Sequence, residues 1–336
     1  MKIAFFNTKP YDREYFNSAN EDFGFELNYF DTQLNSKTIS LASGYRTLII
    51  FVHDIIDSQS LTYLKKSGLE LIALRCSGFN NVDIKAAYNN GIRVVRVPSY
   101  SPHSIAEHTV ALLMTLIRKT HKAYNRVREG DFSIEGLMGF NLNSKTVGII
   151  GTGKIGTIMA KIISGFGCNI IAYDPYENKE CKKMGVIYSD IQVVLRESDI
   201  ISLHCPLTPD TFHLINNKSI AIMKKGVGII NTSRGAVIDA VSVIKALKNE
   251  KVGFLGLDVY EEEADLFYEN LSDKIIKDDT FARLLTFPNV LITSHQAFFT
   301  KEAMDNISRT TLANISEFYR TGSSRNEVAP EIYISK

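Results

Sequence analysis

Short runs of apolar residues alternate along this chain with stretches whose apolar positions recur every three or four residues. In the first third the runs fall at residues 2–6, 26–29, 47–51, 71–75 and 93–96. Runs of this length predict strands of a parallel sheet, and the helix-period segments between them, such as 58–66 and 81–89, predict crossover helices. A second series begins at Thr146, with strands expected at 147–150, 169–173, 200–204, 227–231, 254–258 and 290–292. Residues 104–128 carry one long helical period behind Ser101-Pro102, with the proline early in the first turn. Residues 298–319 predict another helix, and 323–336 a loose tail. The pattern predicts an α/β protein with doubly wound sheets.

Composition narrows this picture. A chain of 336 residues suits two domains. Lys plus Arg number 38 against 37 Asp plus Glu, and no basic stripe appears, which argues against nucleic acid or an anionic membrane as partner. Cys76, Cys168, Cys181 and Cys205 form no C-x-x-C pair, and three of them lie in or beside apolar runs. With no signal-peptide core and no membrane-length apolar stretch, a cytoplasmic location is expected, and no metal site is expected.

The strongest local motif is Gly148-Ile149-Ile150-Gly151-Thr152-Gly153-Lys154-Ile155-Gly156, between an apolar strand and an apolar-periodic helix at 157–165. A second strand then ends in Asp174, 18 residues beyond Gly156. This is the context that dinucleotide binding requires. Gly151 would permit the tight turn, Gly153 the approach of a pyrophosphate, and Gly156 close packing of helix on strand. The helix N-terminus offers N–H groups and partial positive charge. Asp174 would accept from ribose hydroxyls and repel a 2′-phosphate, so NAD is expected over NADP.

Three further segments follow apolar runs: Asn231-Thr232-Ser233-Arg234-Gly235, Asp258-Val259-Tyr260-Glu261-Glu262-Glu263, and Thr293-Ser294-His295-Gln296-Ala297. Each is expected at a strand's C-terminal end, where open α/β sheets bind ligands. Arg can grip a carboxylate with two hydrogen bonds, His can exchange a proton near neutral pH, and a carboxylate beside His orients its ring. Taken singly, each has a bland reading: a surface cation, a structural histidine, a solvated acidic face. Their joint placement downstream of a dinucleotide motif suits reduction of a 2-keto acid.

Together, LIALRCSGFNNVDIKAA, VPSYSPHSIAEHTVALL, VGIIGTGKIG, AYDPY, ISLHCPLTPDT, GVGIINTSRGAVID and GLDVYEEE resemble the D-isomer-specific 2-hydroxyacid dehydrogenases over nearly the whole chain. RVPSYSPHSIAEH, GLDVYEEEADLFYE and HQAFFT resemble their fermentative D-lactate branch. The resemblance implies a flavodoxin-like substrate domain, 1–100 and 298–336, with a Rossmann NAD-binding domain, 101–297, inserted in it, and a cleft between the two. It implies a homodimer or homotetramer and NADH-dependent reduction of pyruvate to D-lactate.

The resemblance also implies roles. Arg234 would bind the substrate carboxylate, His295 would protonate the carbonyl oxygen, and Glu263 would hydrogen-bond His295 and favour its charged ring. Ser77 and Gly78 would offer amides to the carboxylate, Tyr100 would reach the substrate, and Phe299 would line its side-chain pocket. Lys154 and Ile155 would continue the phosphate loop. Cys205, Pro206 and Thr211 would flank the adenosine and phosphates, Thr232 and Ser233 the nicotinamide half, and Asp258 would support site and cofactor from behind. Of the three glutamates the family pattern selects Glu263. Phe51 stands where some relatives carry Tyr, which leaves the keto acid open. The competing readings are a dehydrogenase for a larger 2-keto acid and a non-catalytic NAD(H) sensor of the same fold.

Overall fold

Among the described residues every strand pairs in parallel, and the strands fall into two sheets. The computed structural model describes residues 1–263, 266–268 and 270–330. The chain divides into two units, Met1–Ser101 with Phe299–Lys336, and Pro102–Phe298.

The first unit holds β1 (Lys2–Phe5), β2 (Glu26–Tyr29), β3 (Thr47–Ile50), β4 (Leu71–Leu74) and β5 (Arg93–Arg96), in the order β2-β1-β3-β4-β5. That is the flavodoxin-like order. The central strands β3 and β4 are buried at every residue, which is why they are continuous apolar runs rather than alternating ones. The helix Lys301–Thr321 packs on this unit through Ala303, Met304, Ile307, Ser308, Thr311, Leu312 and Ile315, a helical stripe. Thr300 caps its start through Ala303 N, and Gly322, at φ +80°, ends it.

The expected loose tail is corrected over its first part. Asn326 O accepts from Arg96 N, Val328 N donates to Val94 O, and Arg93 pairs with Glu327 at 3.0 Å. Residues 324–328 thus cover the open edge of β5, supplying partners its backbone would otherwise lack. The rest of that tail, 331–336, lies outside the described residues.

The second unit holds β6 (Thr146–Ile150), β7 (Asn169–Tyr173), β8 (Ile187–Tyr188), β9 (Ile200–Leu203), β10 (Val227–Asn231), β11 (Val252–Leu257) and β12 (Val290–Ile292), ordered β12-β11-β10-β9-β6-β7-β8. Counted from β6 this is the dinucleotide-fold order 3-2-1-4-5-6 with a seventh strand added. The reversal lies between β6 and β9, and it is at such reversals that open α/β sheets bind ligands, at the strands' C-terminal ends. The short edge strand β8 has no counterpart in the sequence pattern.

The expected single helix over 104–128 is two helices, Pro102–Arg118 and Thr120–Arg128, broken at Lys119 with φ +50°. The break has a packing reason. Gly139 crosses so close that a Cβ there would lie 2.3 Å from Ile117 O, and Lys119 Nζ reaches Gly136 O at 2.8 Å.

Candidate active site

At the reversal in the second sheet, the glycines of the first motif have different surroundings. Gly151 turns with φ +93°, and a Cβ on it would fall 2.6 Å from His204 C and 2.7 Å from Cys205 N. Only glycine lets the turns after β6 and β9 meet this closely. A Cβ on Gly156 would sit 2.0 Å from Gly151 O, so its absence lets the helix Lys154–Ser164 press on the turn. Gly153, the N-cap, has nothing within 4 Å of where its Cβ would be. The result is an open cradle at a helix N-terminus with Lys154 exposed beside it, which fits a pyrophosphate.

Asp174, at the end of β7, is partly used by the fold. Its Oδ2 accepts from Thr152 N at 2.6 Å and Thr152 Oγ1 at 3.2 Å, and its Oδ1 from Tyr176 N at 2.9 Å. One acceptor position on Oδ1 is left for a ribose hydroxyl. Burial pushes the Cys205 thiol up to about 11, so this sulfur is an apolar wall and not a nucleophile. Thr211 donates to Pro206 O at 2.6 Å and closes the loop that follows. Thr232 is buried with its hydroxyl against Thr109 Oγ1 at 2.8 Å, and Ser233 donates to Asn231 Oδ1 at 2.9 Å.

The second group of residues hangs from three adjacent strands in register. Asn231 pairs with Leu257, and Leu257 with Ile292. Arg234, Asp258 and His295 follow within three residues of these positions. Gly235 draws the first two loops together, since a Cβ on it would lie 2.1 Å from Tyr260 C and 2.3 Å from Glu261 N. Arg234 donates to Ser233 O at 2.7 Å and has no carboxylate partner among the described residues.

His295 Nδ1 and Glu263 Oε1 are 2.7 Å apart. A carboxylate only accepts, so Nδ1 carries the proton of this bond and Nε2 is the atom left to exchange one. Glu263 is itself held, because its Oε2 accepts from Tyr260 N at 2.9 Å. Of the other two glutamates, Glu261 pairs with His213 and Glu262 is exposed.

His295 adopts φ +54°, a costly conformation for a residue with a side chain. Asp258, wholly buried, over-determines it. Its carbonyl accepts from His295 N at 2.7 Å, and its carboxylate from Gln296 N, Ala297 N and Thr293 Oγ1 at 2.9, 2.9 and 2.6 Å. Tyr268 Oη adds a bond to His295 O at 2.7 Å. Sequence reasoning missed His108, whose Nε2 lies 3.0 Å from Thr293 Oγ1 and 3.4 Å from Asp258 Oδ1. Its only signal was a polar residue in the IAEHTVALL helix.

In the first unit, Ser77 and Gly78 follow β4, and their N–H groups donate to no acceptor among the described residues. Arg75 just before them is buried, 3.0 Å from the buried Asp12, and its guanidinium lies 4.0 Å from the Phe51 ring centre. Sequence reasoning missed this ion pair. Burial raises the Asp12 carboxyl, opposed by Arg75, and pushes Tyr11 up to about 12. The Tyr11 ring meets Phe299 edge-on at 4.7 Å, and Tyr100 O accepts from Asn306 Nδ2 at 2.8 Å.

An open glycine cradle, an acidic residue at the end of the next strand, and a carboxylate–imidazole pair two loops away define an NAD-dependent oxidoreductase. Residues 110–297 match the model of the D-isomer specific 2-hydroxyacid dehydrogenase NAD binding domain. The chain is 51% identical to D-lactate dehydrogenase of Escherichia coli K12, over 98% of this chain and all of that one. It is 52% identical to 2-hydroxyacid dehydrogenase homolog 1 of Schizosaccharomyces pombe, over 95% and 96%. The apo structure of the Escherichia coli D-lactate dehydrogenase superposes with a TM-score of 0.90 at 49% identity, covering 98% of this chain and 100% of that one. The chain therefore belongs to the D-isomer-specific 2-hydroxyacid dehydrogenase family, and its cofactor is NAD.

Proposed function

We propose that this protein reduces pyruvate to D-lactate with NADH. The observation that carries the reading is the Glu263–His295 pair at 2.7 Å, with Arg234 on a neighbouring loop and without a carboxylate partner among the described residues. The similarity to enzymes named D-lactate dehydrogenase supports the choice of keto acid.

The keto carbon would take its hydride from NADH held at the glycine turn. Gly151, Gly153, Lys154, Ile155 and Gly156 hold the pyrophosphate, and Asp174 takes a ribose hydroxyl. Cys205, Pro206 and Thr211 flank the adenosine side, and Thr232 and Ser233 the nicotinamide side. Arg234 grips the substrate carboxylate and, with His295 Nε2, stabilises the charge growing on the keto oxygen. His295 delivers its Nε2 proton to that oxygen, and Glu263 offsets the charge of the ring that carries it. Ser77 and Gly78 amides are assigned to the carboxylate, with Tyr100 and Phe299 as further substrate contacts.

The deciding experiment follows NADH oxidation with pyruvate, 2-ketobutyrate and 2-ketoisocaproate, then resolves the product's chirality. Fast turnover of pyruvate to D-lactate is expected. Preference for the branched acid would move the substrate assignment and keep the mechanism. Tight NADH binding with no turnover would sink it in favour of a sensor.

We also propose a homodimer or homotetramer. Phe132, Ile134 and Met138 are 76, 84 and 87% exposed in one short segment, where apolar surface calls for a partner. Sedimentation at micromolar concentration is expected to give a multiple of 37.7 kDa, and a monomer would overturn this. A cytoplasmic home is proposed on the four free thiols. Among the described residues no helix is long and apolar enough to cross a membrane.

A further inference from the structure

A further carboxylate–imidazole pair, away from His295 and His108, lies in the same unit. His213 Nε2 donates to Glu261 Oε2 at 2.9 Å, with each side chain about a third exposed. His213 holds φ +48°, again a conformation that costs a residue with a side chain. Its surroundings fix it there. His213 N donates to Ala236 O at 2.8 Å, and its O accepts from Asn216 Nδ2 at 2.7 Å.

Three loops meet at this imidazole. His213 ends the segment that Thr211 closes onto Pro206. Ala236 lies in the turn Gly235–Val237, directly after Arg234. Glu261 stands two residues before Glu263, on the stretch of backbone that Gly235 abuts. The side-chain bond therefore ties the loop assigned to the cofactor side to the loop carrying Glu263, and the backbone bond to Ala236 ties it to the turn carrying Arg234. A part-exposed ion pair adds little to overall stability. A backbone outlier retained at such a junction points instead to positioning.

We propose that His213 and Glu261 are a positioning pair that sets the cofactor-side loop against the turns bearing Arg234 and Glu263. NADH affinity and the grip on the keto acid are then tuned together by a bond that touches neither ligand. The proposal rests on the reading of this site as one for NADH and a 2-keto acid.

The test compares the intact protein with Glu261→Gln, His213→Gln and the double variant. NADH dissociation constants come from fluorescence titration, kcat and KM for pyruvate from steady-state rates, and folding from thermal midpoints. Each single variant is expected to weaken NADH binding and raise the pyruvate KM by about threefold to fivefold, on the scale of a part-exposed ion pair. Loss in kcat is expected to be smaller than either. The double variant is expected to match the singles, because each residue acts through the other. Unchanged NADH affinity and KM in both singles would overturn the proposal. So would additive losses in the double variant, or a lowered thermal midpoint with unaltered constants. A wild-type protein that binds NADH and reduces no keto acid would overturn the functional reading alone, since the NADH titrations still decide the positioning pair.

Discussion

The turn at 151–156 and the loops bearing Arg234, Glu263 and His295 both follow strands of one sheet, yet they are built by opposite means. The turn is shaped by missing atoms, at Gly151 and Gly156, where a Cβ would fall 2.6 and 2.0 Å from neighbouring backbone. The loops are shaped by added ones, with a buried Asp258 carboxylate accepting from Thr293, Gln296 and Ala297. A site for a large rigid phosphate group needs room and backbone N–H groups. A site for proton transfer needs one side chain held in one orientation. The difference implies that substitutions in the loops damage turnover first, and those in the turn damage folding or cofactor affinity first.

The sharpest test of the loop half is His295→Ala. It is expected to lower kcat by about two to four orders of magnitude, with NADH affinity and thermal midpoint little changed. Near-normal pyruvate reduction in this variant would end the assignment of the proton to Nε2. Arg234→Lys keeps the charge and loses the planar fork, so poor rescue is expected, seen as a raised pyruvate KM and a lowered kcat. Normal constants there would argue against a two-bond grip.

In the turn half the largest effect is expected at Gly156. Gly156→Ala forces a methyl against Gly151 O, and overpacking of this kind costs about 1–3 kcal/mol. A denaturant midpoint that drops before any kinetic constant changes in the folded fraction would bear this out. An unchanged midpoint would mean that the helix slides away from the turn at no cost.

How much of this was legible in the sequence follows from the range over which each feature is determined. Buried parallel strands write themselves as apolar runs, so 26–29, 93–96, 169–173, 227–231 and 290–292 carry the same limits in sequence and structure. Runs that overshoot, at Phe6, Phe51 and Arg75, do so because burial continues one residue past the ladder. The break at Lys119 is invisible to periodicity, since it depends on a crossing segment near Gly139. His108 and His213 were not legible either. Their partners Thr293 and Glu261 lie 185 and 48 residues away, and no local pattern encodes that pairing.

A different effect in the turn half depends on pH. His204, whose backbone abuts Gly151, has its ring pushed down to about 4 by burial, with Nε2 against Ser202 Oγ at 2.8 Å. The fold prefers the neutral ring, so its stability contribution is full above the unfolded value near 6.5 and is lost as pH falls through 4. The stability gap between wild type and His204→Gln is expected to shrink by up to about 3 kcal/mol between pH 7 and pH 4. A gap that stays constant with pH would show that the ring titrates alike folded and unfolded.

The smallest and most selective test is Gly153→Ala. Its backbone is extended with φ −65° and ψ −161°, negative φ that alanine can adopt, and among the described residues nothing lies within 4 Å of the added methyl. Folding stability should therefore hold within about 0.5 kcal/mol, as for substitutions that disturb no packing. The methyl nevertheless projects into the space assigned to the pyrophosphate, so NADH binding should weaken while the thermal midpoint stays put. The contrast with Gly156→Ala is the point: two glycines of one motif, three residues apart, one required by the fold and one by the ligand. If Gly153→Ala bound NADH as tightly as wild type, the pyrophosphate would have to lie elsewhere than over the N-terminus of Lys154–Ser164, and the roles given to Lys154 and Ile155 would fall with it.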